Sequence, residues 1–147
     1  MTRSSDNTNY FKGYFNLPPG IADVGSYQVS GLPFINRGAV AANAGGDTTI
    51  SFPSVTKSLT IINKDAENDE IRVHFGSTAN NAIANGNYIT LDAKNSSLTI
   101  NVKCKEVFLS TPSGGGEANY EMFAELTGID TAQMININVA DWPGVTS

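Results

Sequence analysis

At 147 residues, with 40% hydrophobic and 16% charged side chains, the chain fits one folded domain that can bury roughly 70% of its unfolded surface. The net charge of -5 argues against a phosphate-backbone binder, which needs clustered Lys and Arg to release counterions, so no nucleic acid partner is expected. A single cysteine, Cys104, excludes an intramolecular disulfide framework and leaves stability to packing or to partner subunits.

The opening residues MTRSSDNTNYFKG are polar and lack the apolar core of a secretory signal. No window approaches the ~20 apolar residues of a membrane-spanning helix. The reading is therefore a protein made in the cytoplasm, with no membrane partner. NYFKGYFNLPPG (9–20) then places Tyr10, Phe11, Tyr14, Phe15 and Leu17 on a stretch without strand periodicity. Burying four aromatics at about 25 cal/mol per Å2 gains roughly 15 to 25 kcal/mol gross. Ordering twelve residues costs about 12 to 24 kcal/mol. The two nearly cancel, which suits a segment that becomes ordered on a partner's groove. These five residues are the expected docking anchors, with packing on the home domain as the alternative. Residues 1–47, rich in Gly, Ala, Asn and Pro, read as an extended arm and lead-in, and residues 48–147 as the folded domain. All of the excess negative charge lies beyond residue 56.

From Thr48 the pattern turns to short β-like runs. TTISF (48–52) ends at Pro53, which cannot donate to a ladder. KSLTIIN (57–63) is followed by an acidic turn, KDAENDE. EIRVHF (70–75) alternates, with Ile71, Val73 and Phe75 on one face and Arg72 and His74 on the other. NYITL (87–91) and SSLTINVKC (96–104), joined by DAKN, predict a hairpin. KEVFLS (105–110) shifts the apolar parity, which predicts a bulge near Lys105 or Glu106. TPSGGG reads as a mobile hairpin loop before NYEMFAEL (119–126), which fits a strand through Tyr120, Met122, Ala124 and Leu126 but also a helical face. A helical turn near DTAQM and a strand at ININV (135–139) end the series. About eight short strands predict an all-β, single antiparallel β-sandwich of jelly-roll type.

Catalytic machinery is sparse. His74, the single histidine, reads as a surface or cross-strand polar residue. Cys104 reads as a buried structural cysteine, with Lys103 and Lys105 on the opposite face. Asp65, Glu67, Asp69 and Glu70 lack the spacing of a calcium loop and read as a solvated turn. Glu117, Glu121 and Glu125 form no marked acid/base pattern. The Asn95-Ser96-Ser97 glycosylation match is discounted without a secretory signal. The expectation is no catalytic residues, no metal, no cofactor and no enzymatic activity. Trp142, in ADWPGVTS, is either a further docking anchor or a residue that closes the core.

The succession SLTIINKDAENDEIRVHFG, NYITLDAKNSSLTINVKCKEVFLS and NYEMFAELTGI resembles small β-sandwich virion proteins of tailed bacteriophages, most of all capsid decoration, or cement, proteins, over residues 48 to 130. The resemblance implies a jelly-roll-like fold, no cofactor, the major capsid protein of the phage head as partner, trimeric clustering as a homo-oligomer, and a place on the capsid surface of the virion. The alternative is a carbohydrate-binding β-sandwich at a fibre or adhesin tip, stacking sugars on Tyr88, Tyr120 or Trp142.

Overall fold

A computed structural model of the chain describes residues 31–42, 46–77 and 86–134. Among the described residues there are eight strands: β1 (Leu32–Val40), β2 (Thr48–Ser51), β3 (Thr56–Asn63), β4 (Ile71–His74), β5 (Ile89–Leu91), β6 (Ser97–Ile100), β7 (Glu106–Ser110) and β8 (Ala118–Leu126). A 3-10 turn over Thr131–Gln133 follows, capped by Asp130, whose carboxylate accepts from the Ala132 amide at 2.9 Å. The strands form two four-stranded sheets, ordered β1-β8-β3-β6 and β2-β7-β4-β5, and every pairing is antiparallel.

The order has a simple logic. β1 pairs with β8, β2 with β7, β3 with β6 and β4 with β5, so the first four described strands are matched, one by one, with the last four read backwards. Rolling that long double ribbon sends alternate pairs to alternate sheets, which is the jelly roll. The protein is an all-β sandwich.

Side-chain alternation explains why the two sheets face each other. In β8 every even residue from Ala118 to Leu126 is buried, while Asn119 and Phe123 are exposed and Glu121 and Glu125 are half-buried. Leu59 and Ile61 of β3, Ile71 and Val73 of β4, and Val107 and Leu109 of β7 meet them in one apolar core. Phe34 of β1 closes one end edge-to-face on Phe52, with ring centroids 5.3 Å apart. This geometry favours aromatic pairs beyond their buried area.

Several expectations are corrected by long-range pairing. β1 lies in the stretch read as a lead-in, so the described sandwich begins at Leu32 rather than Thr48. β5 and β6 are not a hairpin: β5 joins β4, β6 joins β3, and DAKN carries the chain from one sheet to the other. TPSGGG likewise crosses between β7 and β8 in opposite sheets. It is also docked, with Gly116 set so closely on Asp69 that a Cβ would collide with the carboxylate. The parity change near Lys105 comes from the chain leaving β6 and entering β7 in the other sheet, while the register shift sits in β3 between Thr56 and Ser58. NYEMFAEL is a strand throughout, against its helical alternative. The proposed strand at 135–139 lies outside the described residues.

Crossing between sheets strips backbone groups of ladder partners, and two fully buried polar residues at the ends of β3 supply them. At one end the Thr56 hydroxyl donates to the Val102 carbonyl (2.7 Å) and accepts from the Cys104 amide (3.0 Å), holding the β6–β7 crossing. At the other, the Asn63 amide group donates to Leu91 O (3.0 Å) and Asp69 O (2.7 Å) and accepts from Asp65 N (2.8 Å). Asp65 is buried rather than solvated, because its carboxylate accepts from the amides of Glu67 (2.8 Å) and Asp69 (2.9 Å) and so builds the turn. Leaving such groups buried and unpaired costs about 1 to 3 kcal/mol each. Urea unfolding is therefore expected to show a loss of about 1 to 3 kcal/mol for Thr56→Val and about 3 to 5 kcal/mol for Asn63→Ala, with unchanged m-values.

Candidate functional site

The anchors read from the sequence, Tyr10, Phe11, Tyr14, Phe15, Leu17 and Trp142, lie outside the described residues. What the structure does place is the two outer faces of the sandwich, and they differ.

On the outer face of the β1-β8-β3-β6 sheet, register brings Ile35, Phe123, Thr60 and Thr99 into one row across all four strands. Ile35 is 76% exposed and Phe123 43%. The rows on either side are polar or mixed: Arg37 opposes Glu121, which opposes half-buried Ile62, and Pro33 opposes Glu125. Glu125 accepts from the Ser58 hydroxyl at 2.5 Å, and Thr60 and Thr99 share a hydrogen bond at 3.0 Å. The result is a small apolar spot framed by charge. The sequence reading missed it, although an aromatic at an outward register position of β8 is a visible signal.

The outer face of the second sheet is more closed. His74 faces away from the apolar side of β4, as the alternation predicts, yet it is fully buried. It stacks on Phe108 of β7, with centroids 5.9 Å apart and 15° between planes. Its Nδ1 is 2.5 Å from the Gly76 carbonyl, which can only accept, so Nδ1 carries a proton and donates. In the neutral ring Nε2 is then an acceptor for the Ser110 hydroxyl at 3.0 Å, with an Asp47 carboxylate oxygen 3.6 Å away. The cross-strand polar role holds, and the surface placement is corrected. Beside it Arg72 pairs with Glu70 (2.7 Å) and lies 4.6 Å over the Tyr88 ring. Such a cation–π contact occupies one side of the ring.

Tyr120, offered as a sugar-stacking residue, is a core residue whose hydroxyl donates to Asn36 Oδ1 at 2.7 Å. Gly38 of β1 accommodates it, since a Cβ there would sit 3.2 Å from that hydroxyl. Glu121 and Glu125 share a face but stand four residues apart on one strand, roughly 13 Å, beyond the spacing of paired glycosidase carboxylates. Asn95, the glycosylation match, sits in a left-handed turn where its side chain accepts from Lys64 at 2.9 Å. Among the described residues no group of three or more His, Cys, Asp or Glu side chains is arranged to hold a metal ion.

Cys104 is buried, as expected, 3.2 Å from the Thr56 hydroxyl. Burial pushes its thiol up to about 11, partly offset by the Thr56 hydrogen bond and reinforced by the negative charge of Glu106. Burial raises the Tyr120 phenol as well.

No family model and no curated protein matches this sequence. Among solved structures the chain is similar to HppE, crystallised with cobalt(II) and Tris buffer, at 11% identity and a TM-score of 0.38. The match covers 65% of this chain, which spans 45% of the HppE chain. HppE is an enzyme, so the expectation that this chain is not one is withdrawn; a likeness this distant transfers no activity in its place.

Both acidic groups with raised pKa values keep their protons in the folded state and lose them earlier in the unfolded chain. Stability is thus held below pH 9 and lost as pH climbs from about 9 toward 11. Melting temperature followed from pH 7 to 11 should fall over that window, with a smaller fall in Cys104→Ala. In the native protein at pH 8, iodoacetamide should label Cys104 only as fast as the chain unfolds.

Proposed function

We propose that this chain is a capsid decoration protein of a tailed bacteriophage, which binds the major capsid protein of the assembled head and reinforces contacts between neighbouring subunits as a homotrimer on the virion surface. The observation that carries the reading is the eight-strand roll with first-to-last strand pairing, an architecture used by viral capsid domains. The aromatic stretch from Tyr10 to Leu17, and Trp142, are the docking anchors in this reading. Several arms on one oligomer add avidity without any single strong contact.

The same architecture serves lectin domains, but the described residues favour that reading less. Of the stacking candidates, Tyr120 is in the core and Tyr88 is covered on one side by Arg72.

A protein that binds only the closed shell stabilises it by mass action. Heads lacking this protein should therefore release their DNA at a lower temperature than decorated heads, and equal thermal tolerance would contradict the cementing role. In co-sedimentation with undecorated heads, replacing Phe11 and Phe15 together by Ser should weaken binding by at least about a hundredfold, from about 2 kcal/mol per lost aromatic anchor.

A further inference from the structure

Among the described residues β1 stands at the edge of its sheet, with β8 on one side. An edge strand presents a row of backbone N–H and C=O groups that another strand can take up. We propose that β1 pairs antiparallel with β1 of a second copy of this chain about a two-fold axis at Ile35, so that two four-stranded sheets become one continuous sheet.

The first argument is register. In a two-fold antiparallel pair the position of the axis fixes every cross-strand partner. An axis at Ile35 sets Ile35 on itself, Phe34 on Asn36, Pro33 on Arg37 and Leu32 on Gly38. Both exposed apolar side chains of β1 then find an apolar setting: Ile35 lies against its own copy, and Leu32, 63% exposed, lies over Gly38, which has no side chain to oppose it. Moving the axis by one residue brings either Leu32 onto the Asn36 amide or Ile35 onto the Arg37 charge. An axis at Arg37 sets two like charges directly opposite each other, which destabilises a strand pair.

The second argument is the match of the outer faces. Ile35 shares a row with Phe123, so pairing at Ile35 joins the two open spots into one apolar strip that runs across four strands. The charges fit as well. Arg37 stands beside Glu121 of its own β8, and across Pro33 of the second copy it meets that copy's Glu125, so each guanidinium has a carboxylate on either side along its row. Opposite charges on neighbouring strands favour a pairing. Pro33, which has no amide hydrogen, falls toward the end of the paired stretch, where it interrupts the ladder least.

The third argument is size. The exposed parts of Leu32, Ile35 and Phe123 are far below the roughly 800 Å2 per partner that a stable dimer buries, so apolar contact alone does not hold a globular partner there. A strand pair adds main-chain hydrogen bonds, which carry the affinity in strand addition. The contact is therefore expected to be weak, with a Kd of about 1 to 100 μM. A two-fold contact cannot build a three-fold cluster. The pairing is thus additional to the trimer of the shell-binding reading and does not depend on it.

The experiment is sedimentation velocity of the isolated full chain over a concentration series that spans that Kd, together with cysteine cross-linking. The parent chain should self-associate as concentration rises. Ile35→Lys should weaken that step by at least about a hundredfold, because both copies of the central contact are lost together and two like charges face each other. Ile35 is largely exposed, so the variant should keep the parent's melting temperature within a few degrees. Under mild oxidation Ile35→Cys should form a disulfide-linked dimer, since cross-strand partners lie within bridging distance. Arg37→Cys should not, since its two copies stand four residues apart along the strands, roughly 13 Å. A sedimentation profile that stays constant across the series, or self-association that Ile35→Lys leaves unchanged, would overturn the pairing. Cross-linking of Arg37→Cys as fast as that of Ile35→Cys would overturn its register.

Discussion

A jelly roll must carry its backbone repeatedly from one sheet to the other, and each crossing takes N–H and C=O groups out of a ladder. In this protein β3 meets that demand at both of its ends. Thr56 and Asn63 are fully buried, each hydrogen-bonds to chain that has just left or is about to enter the opposite sheet, and between them run Leu59 and Ile61, the centre of the core. β3 also lies between β8 and β6, so it joins pairs from both halves of the rolled ribbon. The remaining structure follows from these two fixed ends. Asp65 can close its turn because Asn63 holds the Asp65 amide, and Cys104 can lie buried because Thr56 takes the hydrogen of its amide.

The two outer faces acquire different characters as a result. The face of β2, β7, β4 and β5 buries His74 under Phe108 and ties it to Ser110 and Gly76, so its polar groups are spent internally. The opposite face keeps Ile35 and Phe123 exposed in a frame of Arg37, Glu121 and Glu125.

Much of this was legible in the sequence where a strand has one wet and one dry side. β8 and β4 show clean period-two patterns, and their inward residues are the ones expected. β1 was hidden for a physical reason: its inward positions include Asn36 and Gly38, acceptable only because the Tyr120 hydroxyl bonds the one and fills the space over the other. Which strands share a sheet was not legible either. DAKN and TPSGGG have the length and composition of hairpin loops, and nothing local distinguishes a turn within a sheet from a crossing between sheets. Burial of His74 likewise depends on a stacking partner 34 positions away in sequence. The open spot at Ile35 and Phe123 exists only once β1 and β8 are paired.

The central claim, that the ends of β3 hold the roll together, is tested most directly by native-state hydrogen exchange of the isolated protein. The Thr56 amide donates to the Cys104 carbonyl, the Cys104 amide to the Thr56 hydroxyl and the Asn63 amide to the Ser96 carbonyl. The account predicts that they exchange only through global unfolding, with free energies equal to that of the core amides of β8. Exchange of these amides by local opening, several kcal/mol easier than for β8, would contradict it and would place the organising constraint elsewhere in the fold.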